Sequence, residues 1–513
     1  VAKDTYDAIV IGAGHNGLTL AIYLQRAGLS TLVVEQAARI GGMSRTDEPV
    51  PGFHHNPHAN ILSYYDLMPM VRDFDLEAHG LRTIIPEAQH GVCFSDGRPP
   101  LILHRADLRA RTQASLARYS PRDAETFCAL SEEVDALGPL LADGMYAPAR
   151  RAWFRRQADV VSRIGGKFGI AGTLGTRSAQ ALIDDLFETP ELRTLLYQLA
   201  AEFGVRLEEV GGDLSLLGVV LWIVGRWRLP IGGMRAVPDA LGRVAESEGV
   251  HLALEARVTK LDVLNGRIRS IFAPGLGRIR ANRLVASSAG LVTTLLGLVG
   301  ANALSRAETS DLRAFAATPP STLASLMFCL REPPVYRSGR WDPEINRCFH
   351  TVMGFDAPED VLSHLRAVEL GRLAAPAAAI RVNTLWDSSQ APEGLHVAGA
   401  DALMPSHRSL QPDEWRVVRD TYNAAFLERW AAFAPNMTRE NVIADQVELP
   451  GDYDRKMRFR EGAAQYRTEV RGLYLCGAST YPGGGVHGAC GYNAYQAIAD
   501  DLGLASPSPS AAR

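Results

Sequence analysis

Lysine is almost missing from this chain. Lys3, Lys167, Lys260 and Lys456 are the only four among 53 basic residues, and arginine supplies the others. Such a bias reflects genome composition rather than function. A basic surplus is missing too: acids number 57 and the formal charge is -4, which argues against nucleic acid as a partner. The six cysteines (Cys93, Cys128, Cys329, Cys348, Cys476, Cys490) include no C-x-x-C pair. Their scatter excludes a thioredoxin-like redox disulfide and a zinc knuckle, points to no metal, and suits reduced thiols in a cytoplasmic protein. No leader is visible, because a strand pattern begins within a few residues of Val1. The longest apolar run, 214–225, is shorter than the about 20 residues that span a bilayer. A soluble protein, peripheral to a membrane at most, is expected.

What the chain does contain is concentrated first at 6–46. The apolar run Ala8 to Ile11 reads as a buried parallel strand and enters Gly12-x-Gly14-x-x-Gly17. An amphipathic run, Leu18 to Ala27, follows as a helix closed by Gly28, and a second strand, Thr31 to Val34, ends on Glu35. Gly12 permits the tight turn, Gly14 lets backbone approach a pyrophosphate, and Gly17 lets helix pack on strand. Amides at the helix start hold phosphates. An acid ending the second strand takes both ribose hydroxyls, which suits FAD or NAD rather than NADP. Glycines alone would also fit an ordinary strand-turn-helix; the register of strand, helix and acid separates the two. A second glycine pair follows at once in Arg39-Ile-Gly-Gly42-Met-Ser-Arg-Thr46. A second backbone approach to one pyrophosphate suits an extended, permanently bound cofactor, and FAD is the reading.

With 513 residues, 47% of them hydrophobic, more than one core can form. Runs such as Gly91-Val-Cys-Phe and Pro100 to His104 read as strands of a separate antiparallel sheet, and 120–225 reads as helical. Within it, Arg150 to Lys167 is basic and amphipathic; a solvated helix is preferred over a membrane-surface face. Nucleotide-type pattern returns with a helix over Ala236 to Ser247, strands at Val250 to Leu254 and Ala256 to Val263, an Asn265-Gly266 hairpin turn, and a strand over Arg280 to Ser288. Strands at Thr322 to Leu330 and Gly394 to Asp401 and a helix over Gln411 to Phe433 follow. The class is α/β: a split Rossmann-like FAD-binding domain (1–75, 235–300, 441–505) with an inserted substrate domain of mixed or antiparallel sheet plus helical cap (76–234, 301–440). The Ser/Pro/Ala-rich tail at 506–513 reads as disordered.

Near the other end, a strand Gly472 to Gly477 leads into Tyr481-Pro-Gly-Gly-Gly-Val-His-Gly488 and a closing helix. Bare amides at a helix N-terminus favour negative charge, here the N1/O2 edge of a reduced flavin. Together with Pro51-Gly-Phe53 and Pro230-x-Gly-Gly-Met234, the two glycine turns resemble the phytoene desaturase-related FAD-dependent oxidoreductase family, and most closely its phytoene dehydrogenase-like NAD(P)/FAD-dependent branch. The resemblance implies non-covalent, buried FAD, with backbone contacts from Val258 near the adenine. Asn56 stands where the family usually has an acid, and Tyr481 where the branch usually has histidine. The cofactor candidates are Gly12, Gly14, His15, Asn16, Gly17, Glu35, Gln36, Arg39, Gly41, Gly42, Met43, Ser44, Arg45, Val258, Gly477, Ala478, Gly484, Gly485 and Val486.

Hydride transfer from a C–H bond to flavin N5 needs positioning and desolvation, and desaturation needs a second proton removed. His58, Tyr481 and His487 are the catalytic candidates, because their motifs flank the expected ring; a histidine near a turn also serves as a structural hydrogen-bond partner. The expected activity is an FAD-dependent dehydrogenase or desaturase acting on a lipophilic or polycyclic small molecule. A redox-neutral isomerase or cyclase is the alternative, followed by an amine oxidase and a non-catalytic flavin-binding protein. Amine oxidases, by family resemblance, place a lysine near N5, and no lysine lies between Lys260 and Lys456. With no second dinucleotide fingerprint, oxygen or a quinone is the expected electron acceptor.

Overall fold

In the computed structural model, which describes residues 3–147, 164–170, 172–317, 322–453 and 466–506, the opening strand Thr5–Ile11 lies inside a seven-stranded sheet. Its run Ala8, Ile9 and Val10 is fully buried because parallel partners cover both edges: Ile9 opposes Val285 on one side and Leu32 on the other. Alternation sends Ala8 and Val10 against helices, including Leu241 and Ile498. Ile9 and Ile11 pack instead with Leu261, Ile271 and Leu312.

The long strand Gly277–Ser287 joins distant parts of the chain. Its start pairs antiparallel with Arg267–Ala273, while Val285 to Ser287 pair in parallel with both Ile9 to Ile11 and Leu473 to Leu475. The segment leading to the closing turn is thereby set two strands from the opening turn. The Asn265-Gly266 hairpin forms as read, with both residues at positive φ. The stretch at 256–259 does not extend the strand Lys260–Leu264; Ala256 instead donates its N–H to the Glu35 carbonyl at 2.8 Å.

A second seven-stranded sheet runs Val442–Glu448, Thr322–Leu330, His396–Met404, Ala378–Arg381, His350–Met353, Ala88–Val92 and Leu101–His104. All its pairs are antiparallel except His350–Met353 with Ala88–Val92. Its outer face is covered by the helix Pro412–Phe433 through Phe426, Trp430 and Phe433. The cap helices, among them Pro121–Asp135 and Pro190–Glu202, bury Phe127, Leu195 and Trp222 in a core shared with Val352 and Ala379 of this sheet. One boundary differs from the sequence reading. The nucleotide segment does not begin at 441, because Val442–Glu448 completes the edge of the second sheet, with Val442 and Val447 in its core. The basic stretch at 150–163 and the tail from 507 lie outside the described residues. Among the described residues no helix is long and apolar enough to cross a membrane.

Candidate active site

Close packing explains the glycines of the first turn. Gly12 has φ +96°, and a Cβ there would lie 2.3 Å from Ser288 Oγ, which donates to the Ile11 and Gly12 carbonyls. A Cβ on Gly17 would lie 2.1 Å from the Gly12 oxygen. At Gly14, which caps the helix His15–Arg26 with backbone alone, the nearest obstacle to a Cβ is the Gly41 oxygen at 4.0 Å, so this position faces space. The second glycine pair rests directly on the first: Gly41 donates its N–H to the Ala13 carbonyl at 2.9 Å, and Gly42 approaches the Gly14 Cα.

Glu35 binds this turn together. One carboxylate oxygen accepts from the Ala13 N–H at 2.8 Å and the other from the Ala37 N–H at 2.9 Å. A carboxylate has about four acceptor sites, so two remain for ribose hydroxyls. Glu35→Gln presents an amide N–H to a backbone N–H and leaves one of them unpaired. Thermal denaturation should show a loss of about 2 kcal/mol, with a lower flavin content in the purified protein; an unchanged melting curve would contradict this geometry.

The remaining first-turn residues are spread between cavity and rim. Ser44 is buried, with Oγ 3.2 Å from His15 Nδ1. Gln36 and Arg39 are exposed. Arg45 pairs with Asp47 and with Glu448 of the second sheet at 3.0 Å, and Met43 accepts from the Ala59 N–H. Val258 is packed in the core beside Val34, two residues past the Ala256–Glu35 backbone bond.

The closing turn meets this arrangement from the other side. Cys476 donates its N–H to the Ser287 carbonyl at 2.9 Å, and a Cβ on Gly477 would strike the Ser288 oxygen at 2.3 Å. Gly491, early in the closing helix Ala489–Leu502, touches the Asn16 carbonyl so closely that a Cβ would sit 2.1 Å away. The His15 and His487 rings stand edge-on at 6.5 Å. Ala478 is partly buried, Val486 is buried, and Gly484 and Gly485 remain exposed, with nothing within 4 Å of a Cβ on Gly484. The two turns therefore converge.

Polar atoms left over in this region fit a polar cofactor. His15 Nε2, Asn16 Oδ1, Asn56 Nδ2 and Ser479 Oγ are buried without hydrogen-bond partners. Each such group costs about 1–3 kcal/mol unless something supplies its partner, and a dinucleotide offers both donors and acceptors. Asn56 also has a structural task that its sequence did not signal. Its Oδ1 accepts from Thr46 Oγ at 2.7 Å and from the Met234 N–H at 3.0 Å, tying the second glycine pair to the Pro230–Met234 turn. That turn is held to the substrate side by Asp387, which accepts from the Gly232 N–H at 2.7 Å.

The three catalytic candidates separate. His487 Nε2 donates to the Gly484 carbonyl at 3.1 Å and Nδ1 accepts from the Ala489 N–H at 3.0 Å. Both nitrogens are thus committed to the backbone, and burial pushes the imidazole down to about 4. His487 is a neutral clamp that shapes the glycine turn, not a base. Burial pushes the Tyr481 phenol up to about 12, so it stays protonated at neutral pH and can donate but not abstract. His58 Nε2 lies 3.6 Å from Glu448 Oε2, on the loop between the second glycine pair and the second sheet. Over the closing turn, Tyr64 stacks on Trp222 at 6.0 Å with rings 5° apart, and stands edge-on to His487 at 6.3 Å. These aromatic contacts come from residues far apart in the chain, with no motif to announce them.

Known proteins share this architecture. The model of the flavin containing amine oxidoreductase family matches residues 17–291. One of the limonene dehydrogenase subunits of Castellaniella defragrans is 28% identical, over 97% of this chain and 95% of the relative. The lycopene-forming phytoene desaturase of Pantoea ananas is 24% identical, over 94% of this chain and 96% of the relative. Among solved structures, an oxidoreductase from Methanosarcina mazei shares the fold with a TM-score of 0.62 at 16% identity, covering 96% of this chain and 99% of that one. The cofactor is FAD and the protein is an oxidoreductase related to the phytoene desaturases. The chain belongs to the flavin containing amine oxidoreductase family.

Proposed function

We propose that this enzyme is a dehydrogenase that oxidises a C–H bond of a lipophilic small molecule. The observation that carries the reading is the aromatic stack of Tyr64 on Trp222 beside His487, a largely hydrocarbon ring surface over the closing turn. The names of limonene dehydrogenase and phytoene desaturase, both hydrocarbon-acting, support it. So does the lack of any lysine between Lys260 and Lys456, which weighs against amine oxidation.

Bound FAD supplies a hydride acceptor. The protein's share is local. Gly12, Gly14, Gly17, Gly41 and Gly42 would admit the pyrophosphate, and the N-terminus of the helix His15–Arg26 favours its charge. Amides of Gly484, Gly485 and Val486, held by the His487 clamp, would face the charge that develops on the reduced ring. Tyr64 and Trp222 would exclude water from the ring, which would strengthen those dipoles. Oxygen or a quinone would then take the electrons. The six buried free cysteines suit a reducing compartment.

The test is anaerobic mixing of the oxidised holoenzyme with limonene, other monoterpenes and carotenoid precursors. Loss of the oxidised flavin absorbance with one of them is expected, followed by recovery when oxygen or a soluble quinone is admitted. Absorbance that persists across the panel overturns the reading.

A further inference from the structure

Gly483, Gly484 and Gly485 follow one another in the closing turn, and glycine backbone has little rigidity of its own. Side chains bound to the carbonyl oxygens of the turn supply what is missing. His487 Nε2 donates to the Gly484 carbonyl at 3.1 Å. Cys490 Sγ lies 3.3 Å from the Gly483 oxygen and 3.5 Å from that of Thr480. Tyr466 Oη donates to the Tyr481 carbonyl at 2.6 Å, and Tyr146 Oη donates to the His487 carbonyl at 2.9 Å.

In a trans peptide the C=O and the N–H that follows it point opposite ways. The peptides after Gly483, Gly484 and His487 are trans. Donors gathered on these carbonyls therefore turn the N–H groups of Gly484, Gly485 and Gly488 away from themselves. No acceptor among the described residues takes any of the three. Gly484 and Gly485 are exposed, so their amides have room for a partner.

Tyr146 differs from the other donors in origin. His487, Cys490 and Tyr466 belong to the turn or to the segments joined to it. Tyr146 instead ends the cap helix Gly138–Met145, whose Leu141 lies in the cap core. That helix is tied to the closing helix Ala489–Leu502 without the phenol. Asn493 Nδ2 donates to the Met145 carbonyl at 2.8 Å and Gln496 Nε2 to the Tyr146 carbonyl at 2.9 Å, while the Tyr146 and Tyr492 rings stand edge-on at 5.7 Å. A strut between the two helices needs no more. The phenol adds a bond to a carbonyl inside the turn, and burial keeps that phenol protonated as a donor. Without it the buried His487 oxygen has lost its partner. The peptide it shares with Gly488, at φ +66°, can then rotate and carry the Gly488 N–H with it.

We propose that Tyr146 is a positioning residue for flavin reduction: by holding the His487 carbonyl it aims the amides of the closing turn, so that a cap helix sets the flavin's midpoint potential through one phenol. The inference rests on the reading above in which this turn faces the reduced ring, and holds whichever substrate reduces it.

The test is a reductive titration of the purified holoenzyme against a reference dye, with the melting temperature of each variant recorded beside it. Dipoles aimed at the negative charge of the reduced ring favour it over the oxidised one. Tyr146→Phe should therefore keep its flavin but favour the reduced form about tenfold less, a midpoint about 30 mV below wild type. Gln496→Ala loosens Tyr146 while leaving its phenol, and a smaller shift in the same direction is expected. It is the deciding variant should Tyr146→Phe fail to fold or to hold flavin. Gly485→Ala, at φ +114° with its methyl 2.9 Å from the His487 ring, disturbs the turn itself; a larger fall in potential or loss of flavin is expected. Wild-type potentials in Tyr146→Phe and Gln496→Ala beside an altered Gly485→Ala overturn the role of Tyr146 alone, whatever the melting temperatures. A wild-type potential in Gly485→Ala overturns the facing of the turn to the flavin, and the role of Tyr146 with it.

Discussion

Gly17→Ala should give a protein without yellow colour. The added methyl would sit 2.1 Å from the Gly12 carbonyl oxygen and 3.3 Å from Ser288 Oγ. The first obstacle is backbone at the end of a strand paired on both edges, so it cannot swing aside as a side-chain tip would. The helix His15–Arg26 would have to move off the sheet, taking with it the amides that would meet the phosphates and the Asn16–Gly491 contact with the closing helix. Overpacking of this kind costs about 3 kcal/mol, and the geometry lost is the cofactor's cradle itself. The comparison is Gly28→Ala, at φ +85° with nothing within 4 Å of its Cβ. It should cost about 1 kcal/mol of backbone strain and keep its flavin. Flavin absorbance per protein and the melting temperature of the two variants decide the matter; equal flavin content would contradict the cradle.

Acid should unfold this protein over a narrow range. Burial depresses His55 and His487 to about 4 and His15 to about 3, the last with help from the neighbouring His487, against an ordinary value of 6.5. Burial also holds His90 well down. Each of these is a base whose folded-state value lies below its unfolded one, so the unfolded chain binds more protons in between. Their contribution is complete above about pH 6.5 and is lost as pH falls toward 4. One pH unit below 6.5 costs about 1.4 kcal/mol per histidine. At pH 5, His15, His55 and His487 together remove about 6 kcal/mol, comparable with the whole stability of a typical domain. Circular dichroism should show a cooperative loss of structure between pH 6 and 4, accompanied by flavin release. His55→Phe, which removes one titration at a site facing Cys329 Sγ at 3.4 Å, should move the midpoint to lower pH. A flat stability profile down to pH 4 would show that these rings are not neutral and buried.

His487 shows where residue-level reading stopped. Its place after three glycines made it a candidate base, but hydrogen bonds to Gly484 and Ala489 occupy both nitrogens. Those partners lie within three residues, yet their directions depend on how the closing helix is seated against Asn16. Asn56 stood out only as a departure from a family pattern. Its role became visible once the Thr46 and Met234 segments, distant in sequence, met at its amide. The strand Val442–Glu448 was misassigned for a similar reason. An edge strand with one buried face reads the same whichever sheet it completes, and only pairing with Thr322–Leu330 settles its place.

The amino-acid order by itself determined the βαβ opening, the acid at the end of its second strand, both glycine turns, the hairpin at Asn265-Gly266 and hence the flavin. Those features answer to conformational limits and hydrophobic periods acting within a few tens of residues. The meeting of the two turns, the clamp at His487 and the Tyr64–Trp222 wall were decided by tertiary structure alone. Each joins residues brought side by side by strand pairing or helix packing across hundreds of positions, and no local preference of either partner records the other.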